Sequence, residues 1–288
     1  MIGKVLIFLI IMLAAGILLY KPGAVSEPGP SPQDRSREDL TRIEYPSMAG
    51  IPWTPRFIRP QDSLESLYGD DWIYIARFNR IDRRHVYPGM TIKSPKDIAS
   101  IRNYTPLPYL YDPARRHEKY ILINMNEQWI GAYEYGRLKF SMPAATGNDE
   151  HKSPTGIFRV DARHRFHTSS LYKTEDEQAQ YPMDYAIRFF IGDDNVSYWI
   201  HARDLPGRPA SHGCIGLFDE AMQERIYGIP DDPVLLDAER LYVWAVGENE
   251  YEEDTGELEL LEDGPVVEVT GDNPVYNSRS LFSLLTKK

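Results

Sequence analysis

The sequence predicts a mainly β fold, preceded by a small α+β module and by an apolar helix at the N-terminus. Three observations lead to this prediction. Short apolar strands separated by turn residues fill residues 118–247, a pattern typical of β-sandwiches and barrels. Two short helices between two strands (βααβ) are predicted within residues 54–96. An uncharged apolar run, Val5 to Tyr20, precedes both.

The apolar run follows Lys4 and comes close to the roughly 20 residues that span a bilayer as a helix. We therefore predict that residues 1–21 form a transmembrane anchor, with a signal sequence as the alternative. Residues 22–53 are rich in proline, serine, glycine and charge. Because such a composition buries little apolar surface, we expect this stretch to be a linker.

The net charge of -11 is concentrated near the C-terminus, where eleven acidic residues lie between Glu248 and Asp272. The rest of the chain is close to neutral, so it lacks the basic footprint of a nucleic-acid-binding protein, and this class is excluded. Residues 248–288 are expected to be a solvated acidic extension in which Pro265–Val269 can add one strand. The single cysteine excludes an internal disulfide.

The small module has local signals for each of its elements. Residues 62–69 carry a helix cap and a glycine stop, and Trp72–Asn79 repeats the helical spacing. Its motifs, Gln61-Asp62-Ser63-Leu64, Asn79 and Pro88-Gly89, resemble those of LysM domains, although that family has glycine where Gln61 stands. The resemblance implies binding of glycans that contain N-acetylglucosamine; a purely structural cap on the next domain is the alternative.

Two further segments matter for the site. Residues 161–181 are polar, contain scattered aromatic residues and lack a clear period, so we expect a loop that acts as a lid. His164 and His167 in this loop have metal-like spacing but lack a third ligand, and we interpret them as lid surface. Asp219 to Gly228 is predicted to be one amphipathic helix, capped by Asp219 and ended by Gly228.

The candidate chemistry lies between Tyr198 and Ile215. Cys214 can act as a nucleophile once a histidine removes its proton, and His201 and His212 are both near it in sequence. Gly213 allows the backbone to approach a substrate, and backbone N–H groups before the following helix can face an oxyanion. The spacing alone equally allows a buried structural thiol with two surface histidines.

The motifs resemble those of the YkuD-type L,D-transpeptidase catalytic domain over residues 119–246. The resemblance rests on a histidine at a strand end, Ser211-His212-Gly213-Cys214, Ser153-Pro154-Thr155-Gly156-Ile157-Phe158 and Met183-Asp184-Tyr185-Ala186-Ile187-Arg188-Phe189. It implies an L,D-transpeptidase β-sandwich with the catalytic domain at residues 118–247.

The resemblance also implies a role for each matching residue. Cys214 attacks the third residue of a peptidoglycan stem peptide, with His201 as the base and the carbonyl of Ala202 orienting it. His212 lies beside the nucleophile, and the N–H groups of Gly213 and Cys214 stabilise the oxyanion. The substrate-binding candidates are Ser211, Arg203, Arg208 and Tyr198. No metal or cofactor is implied.

The chain departs from the family pattern at Gly216, where the family commonly has Arg or Asn, and in the short loop between His201 and Ser211. We expect Arg203 or Arg208 to replace the missing polar side chain. The predicted function is 3-3 cross-linking of peptidoglycan at the periplasmic side of a bacterial inner membrane. Alternatives are an L,D-carboxypeptidase or hydrolase, a transpeptidase that anchors envelope proteins, and a non-catalytic peptidoglycan-binding protein.

Overall fold

Strands make up most of the regular structure in residues 38–174 and 177–277, which are the residues that the computed structural model describes. The prediction of a mainly β fold is confirmed. The predicted anchor at residues 1–21 and the first part of the predicted linker lie outside the described residues. Within the described ranges, none of the helices is long and apolar enough to cross a membrane.

The first strand of the described chain is β1 (Ile43–Glu44). It lies between 3-10 turns at Leu40–Arg42 and Pro46–Gly50. The predicted strand–helix–helix–strand order follows as β2 (Trp53–Phe57), α1 (Leu64–Tyr68), α2 (Trp72–Asn79) and β3 (Thr91–Pro95). Strands β2 and β3 pair antiparallel. Ser63 caps α1 as the sequence indicates, because its hydroxyl accepts from Ser66 N–H at 3.1 Å.

The structure corrects the predicted linker from residue 38 onward. Four side chains of this stretch are buried in one core with the α1–α2 module: Leu40, Ile43, Tyr45 and Met48. The buried Lys93 of β3 donates to the carbonyls of Leu40 and Ile43, at 2.7 and 2.8 Å. Residues 38–96 therefore form one folded unit, which we call the N-terminal module.

Two five-stranded sheets form the larger part of the molecule. The first contains β4 (Lys119–Asn124), β5 (Trp129–Glu134), β6 (Arg137–Pro143), β7 (Gly156–Arg159) and β13 (Val266–Thr270). The second contains β8 (Ala162–Lys173), β9 (Gln180–Ile191), β10 (Ser197–Ala202), β11 (Ile215–Leu217) and β12 (Glu259–Leu260). Their orders are β6-β5-β4-β13-β7 and β11-β10-β9-β8-β12. Apolar residues of both sheets share one buried core, including Ile121, Val267, Ile187 and Ile200, as in a β-sandwich.

The strand expected at Pro265–Val269 is present and lies inside the first sheet, so the acidic extension is not simply a solvated appendage. Strand β13 lies between β4, with which it pairs parallel, and β7, with which it pairs antiparallel. Beyond it, β14 (Val275–Tyr276) pairs antiparallel with β1. The β-sandwich therefore does not end at residue 247, the predicted boundary, because it includes a strand from the last part of the described chain.

The predicted lid loop at residues 161–181 is instead a long hairpin. Strands β8 and β9 pair antiparallel, and their register shifts between Thr168 and Lys173. The exposed positions of β8 carry apolar side chains, Phe166 and Leu171, as well as polar ones. The segment therefore lacks the alternation of buried apolar and exposed polar residues that marks a half-buried strand. We call this element the β8–β9 hairpin.

Three helices complete the fold: α3 (Glu220–Tyr227), α4 (Asp237–Val246) and α5 (Glu248–Glu252). Asp219 caps α3 by accepting from Met222 N–H at 2.8 Å, and Gly228 ends it in a left-handed conformation, as predicted. The core of the N-terminal module also includes Leu205, Phe218 and Leu235 from the larger domain. The two parts therefore share buried apolar surface.

Candidate active site

Parallel pairing of β10 and β11 brings the candidate nucleophile and base to one face of the second sheet. Ile200 pairs with Ile215 and His201 pairs with Gly216. Ile200 and Ile215 point into the sandwich core. Because side chains alternate along a strand, His201 points to the opposite face, and Cys214, one residue before Ile215, lies on that same face. The sulfur packs beside Trp199 and Met183 and is partly exposed.

His201 is held in one tautomer. Its Nδ1 lies 2.6 Å from the carbonyl oxygen of Ala202. Since a carbonyl can only accept, Nδ1 carries the proton and Nε2 is left with a free lone pair. Burial, opposed by the hydrogen bond to Ala202 and reinforced by the nearby Arg203 and His167, lowers the pKa of His201 to about 3. The imidazole is therefore neutral near pH 7 and can accept a proton at Nε2.

Cys214 is a neutral thiol in this environment. Burial raises the pKa of the thiol above its usual value, and the Trp199 backbone N–H and the Arg203 charge only partly oppose that rise. A thiolate–imidazolium pair is thus not present in the resting site. The arrangement fits a thiol that loses its proton to a neutral histidine during attack, which is general-base chemistry.

Ser211 and Gly213 are engaged within the motif itself. Ser211 is fully buried, and its hydroxyl donates to the Cys214 carbonyl at 2.5 Å while accepting from Gly213 N–H at 3.0 Å. Gly213 has a φ of +108°, and a Cβ on it would lie 2.6 Å from the Tyr198 ring, so a glycine is required. The structure thus places Ser211 as a support of the loop rather than on a substrate surface, and Gly213 N–H already has an acceptor.

His212 is exposed, in contrast to the buried His201. Its ring stacks on Tyr172 of the β8–β9 hairpin, with ring centroids 4.2 Å apart and planes 23° apart. The centroid of the His151 ring also lies 4.7 Å from that of the His212 ring. Charge on Cys214 contributes to a raised pKa of Tyr172, after burial, so this tyrosine lies close to the nucleophile. The sequence contained no signal for Tyr172 beyond its place among scattered aromatic residues.

The two histidines predicted to lie on a lid surface are part of strand β8. Their Nδ1 atoms are 2.9 Å apart, and the His167 ring packs 4.5 Å from Trp199. Burial and the neighbouring His164 lower the pKa of His167 to about 4. His167 therefore supports the ring beside Cys214. In the described ranges, no third His, Cys, Asp or Glu joins this pair in a metal-like group.

The two arginines predicted to replace a side chain at position 216 lie in different places. Arg203 lies over Gly216, and its Nη2 donates to Ala210 O at 2.8 Å. Arg208 instead forms an ion pair with Glu38 of the N-terminal module, at 2.6 Å. Of the two arginines, only Arg203 lies next to Gly216. Arg208 pairs with Glu38 instead, so the structure does not place it where a side chain at position 216 would be.

Residues 118–234 match the YkuD family model, the L,D-transpeptidase catalytic domain. The matched segment covers β4 to β11 and helix α3, together with Cys214 and His201. Among curated proteins, none matches the chain.

The chain is also similar to solved L,D-transpeptidases. One from Stackebrandtia nassauensis is 18% identical with a TM-score of 0.36, over 55% of this chain and 58% of that one. One from Mycobacterium smegmatis is 16% identical with a TM-score of 0.35, over 54% and 59%. One from Mycobacterium tuberculosis H37Rv is 19% identical with a TM-score of 0.34, over 54% and 58%. This chain therefore spans less than two thirds of each of these structures.

Proposed function

We propose that this chain is a peptidoglycan L,D-transpeptidase that uses Cys214 as its nucleophile. The observation that carries the proposal is the pairing of His201 with the Ala202 carbonyl on the face that also bears Cys214. That bond leaves Nε2 ready to take the thiol proton. The YkuD match over residues 118–234 supports a stem-peptide substrate.

In the proposed reaction, His201 Nε2 removes the proton from Cys214 as Sγ attacks the carbonyl of the third stem residue. The tetrahedral oxyanion collapses and expels D-Ala, whose amine takes the proton from Nε2. A thioester on Cys214 remains. The amine of a second stem attacks it, transfers a proton to Nε2, and releases the thiol as the 3-3 cross-link forms. The N–H of Cys214 is the proposed oxyanion donor, and Gly213 N–H can contribute after leaving Ser211 Oγ.

We further propose that the N-terminal module binds the glycan and that residues 1–21 anchor the enzyme at the periplasmic face of the inner membrane. The strand–helix–helix–strand order of β2, α1, α2 and β3 supports the first part. The apolar run from Val5 to Tyr20 supports the second. Sedimentation of the full-length Cys214→Ala protein with purified peptidoglycan tests the glycan proposal, if excess glycan-free stem peptides are added as competitor. Sedimentation that the peptides do not displace supports glycan binding, and its loss would assign the binding to the stem-peptide site.

The catalytic proposal is tested with full-length protein, purified tetrapeptide muropeptides and mass analysis of the products. Cross-linked dimers and released D-Ala are expected from the wild-type protein, and none from Cys214→Ala. Tripeptides without dimers would assign the carboxypeptidase reaction instead. Absence of any product, together with absence of a carbapenem adduct on Cys214, would falsify the enzyme proposal.

A further inference from the structure

The loop between the two catalytic candidates is held by the N-terminal module along its length. We call residues 203–210 the connecting loop, since it runs from the end of β10 to Ser211. Pro206 forms a bridge with Ile81, and the carbonyl of Gly207 accepts from the Tyr45 hydroxyl at 3.1 Å. Arg208 pairs with Glu38, as described above. The connecting loop is therefore not free to move independently of the module.

Asp82 is the centre of these contacts. Its backbone N–H donates to Leu205 O at 2.9 Å, and its Oδ2 accepts from Leu205 N–H at 2.7 Å. Oδ2 also accepts from Gln223 Nε2, and Oδ1 accepts from the backbone N–H and Nδ1 of His85, each at 2.8 Å. The residue is fully buried. All four acceptor positions of the carboxylate are thus used, which only an aspartate can provide here.

The same network continues towards the reacting sulfur. Gln223 Nε2 donates to Asp204 Oδ1 as well as to Asp82, at 2.8 Å. The Tyr227 hydroxyl contacts the other oxygen of Asp204 at 3.1 Å. Residues 204 and 205 are therefore fixed on both sides. The residue before them is Arg203, whose side chain lies over Gly216 and whose charge acts on Cys214 and His201.

We propose that Asp82 is a positioning residue of the active site, supplied by the N-terminal module. By fixing Leu205, it holds Arg203 in place over Gly216 and beside Cys214. The reaction that this serves is the one proposed above, and the inference rests on it. The N-terminal module then acts on the chemistry directly, in addition to any binding of glycan.

Asp82, His85 and Asp204 also form the one group in the described part of the chain with metal-like spacing. Both carboxylates of this group already accept a hydrogen bond, because Gln223 Nε2 donates to Asp82 and to Asp204. Asp204 also forms an ion pair with Arg84, whose Nη1 lies 3.6 Å from Oδ2. The group is therefore explained as a hydrogen-bonded link rather than as a cation site.

The test is Asp82→Asn in the full-length protein. If the new NH2 group faces Leu205 N–H and Gln223 Nε2, both of those hydrogen bonds are lost. If it faces His85, the bond from the backbone N–H is lost, whereas the ring Nδ1 can accept after a change of tautomer. Hydrogen bonds of Asp82 are thus removed in either case without a change in shape. We expect amide exchange at Leu205 to become at least about tenfold faster. We expect kcat for acyl transfer to fall at least about tenfold, with KM within about threefold, because a small misplacement of a reacting group has such an effect.

Ser66→Ala is the matched control. It removes the side chain that accepts from Ser63 N–H in the capping box of α1, costs stability in the same module, and leaves the connecting loop untouched. Its kcat should stay within about twofold at a temperature where both variants are folded. If Asp82→Asn keeps the kcat of the control, or if Leu205 exchange is unchanged, the proposal is overturned.

If Asp82→Asn does not fold, a second variant tests whether Asp82 positions the connecting loop. Gln223→Met cuts the link from Asp82 to Asp204 and removes Oε1, which is buried without a partner. Faster exchange at Leu205 and a lower kcat support the proposal, and unchanged values overturn it. If even the wild-type protein transfers no acyl group, the proposed function fails. Leu205 exchange and the rate of Cys214 alkylation by iodoacetamide then still report whether Asp82 positions the loop.

Discussion

Arg203 occupies the space that a side chain at Gly216 would need. A Cβ on Gly216 would lie 2.4 Å from Arg203 Cδ and 2.7 Å from Arg203 Cβ. Arg203, which follows β10, thus lies in the space next to the position at which the family resemblance leads us to expect a polar side chain. Glycine at 216 and arginine at 203 depend on each other, and this dependence can be measured.

Gly216→Ala should destabilise the protein by about 1–3 kcal/mol, because the added methyl group overlaps the Arg203 side chain. In an Arg203→Ala background the same change should cost less, since Cδ and Cγ of Arg203 are gone and only its Cβ, at 2.7 Å, still obstructs the added methyl group. Denaturant unfolding of the four proteins gives the coupling energy as a double-mutant cycle. An equal cost of Gly216→Ala in both backgrounds would show that the two residues are independent.

The buried His201 should make the protein less stable in acid. Its pKa in the folded protein is about 3, below the ordinary value of 6.5, so the unfolded chain takes up the proton first. The stability from this group is complete above pH 6.5 and is lost as pH falls towards 3. His201→Asn keeps a donor for Ala202 O but cannot titrate. The unfolding free energy of the wild-type protein should therefore drop more steeply between pH 6 and 4, by up to about 2 kcal/mol.

Asp219 should have the opposite effect. Burial, followed by the nearby Asp184 and Glu239, raises its pKa to about 7, and its Oδ2 has no hydrogen-bond partner. Because the folded pKa exceeds the ordinary value, stability from this group is lost as pH rises from about 4 through 7. Asp219→Asn keeps the cap of α3 without a charge. We expect it to stabilise the protein by about 2–4 kcal/mol at pH 8 and to have little effect at pH 4.

Tyr172 should shield the nucleophile through its ring. Tyr172→Ala removes the stack on His212 and exposes Cys214, so alkylation by iodoacetamide should become several-fold faster. Tyr172→Phe keeps the ring, and its alkylation rate should match that of the wild-type protein. Mass analysis of the modified protein over time gives both rates. Equal rates for the alanine and phenylalanine variants would contradict a shielding role.

Leu40 tests whether the predicted linker is part of the folded protein. Its side chain is 2% exposed in the core of the N-terminal module, so Leu40→Ala should cost about 2–5 kcal/mol of unfolding free energy. The exposed Glu44 lies in the same stretch, and Glu44→Ala should stay within about 0.5 kcal/mol. If both substitutions are neutral, residues 38–53 do not contribute to the fold.

The sequence predicts those elements whose signals are local. Ser63 and Asp219 cap their helices, and Gly228 ends one, because caps act within three or four residues. Cys214 and His201 are found from a contiguous motif that one strand pair brings together. These features need no knowledge of distant contacts.

The remaining features depend on partners far away in sequence. Leu40 and Met48 look like parts of a polar stretch until the module supplies the surface that buries them. Tyr172 reaches His212 because the hairpin register shifts between Thr168 and Lys173. The role of Asp82 arises only where the chain returns at Leu205. Neither the composition nor the hydrophobic periodicity of the sequence predicts these long-range contacts.

Strand β13 has a consequence for how the chain is made. Residues Val266–Thr270 fill the gap between β4 and β7, which were synthesised more than a hundred residues earlier. A growing chain therefore cannot close its first sheet until residues 266–270 have been made. Until then the edge of β4 has no neighbour on that side, so the emerging chain needs protection from aggregation. A product that terminates prematurely before residue 266 cannot complete the sandwich, which makes strand β13 a condition for assembly of the candidate site.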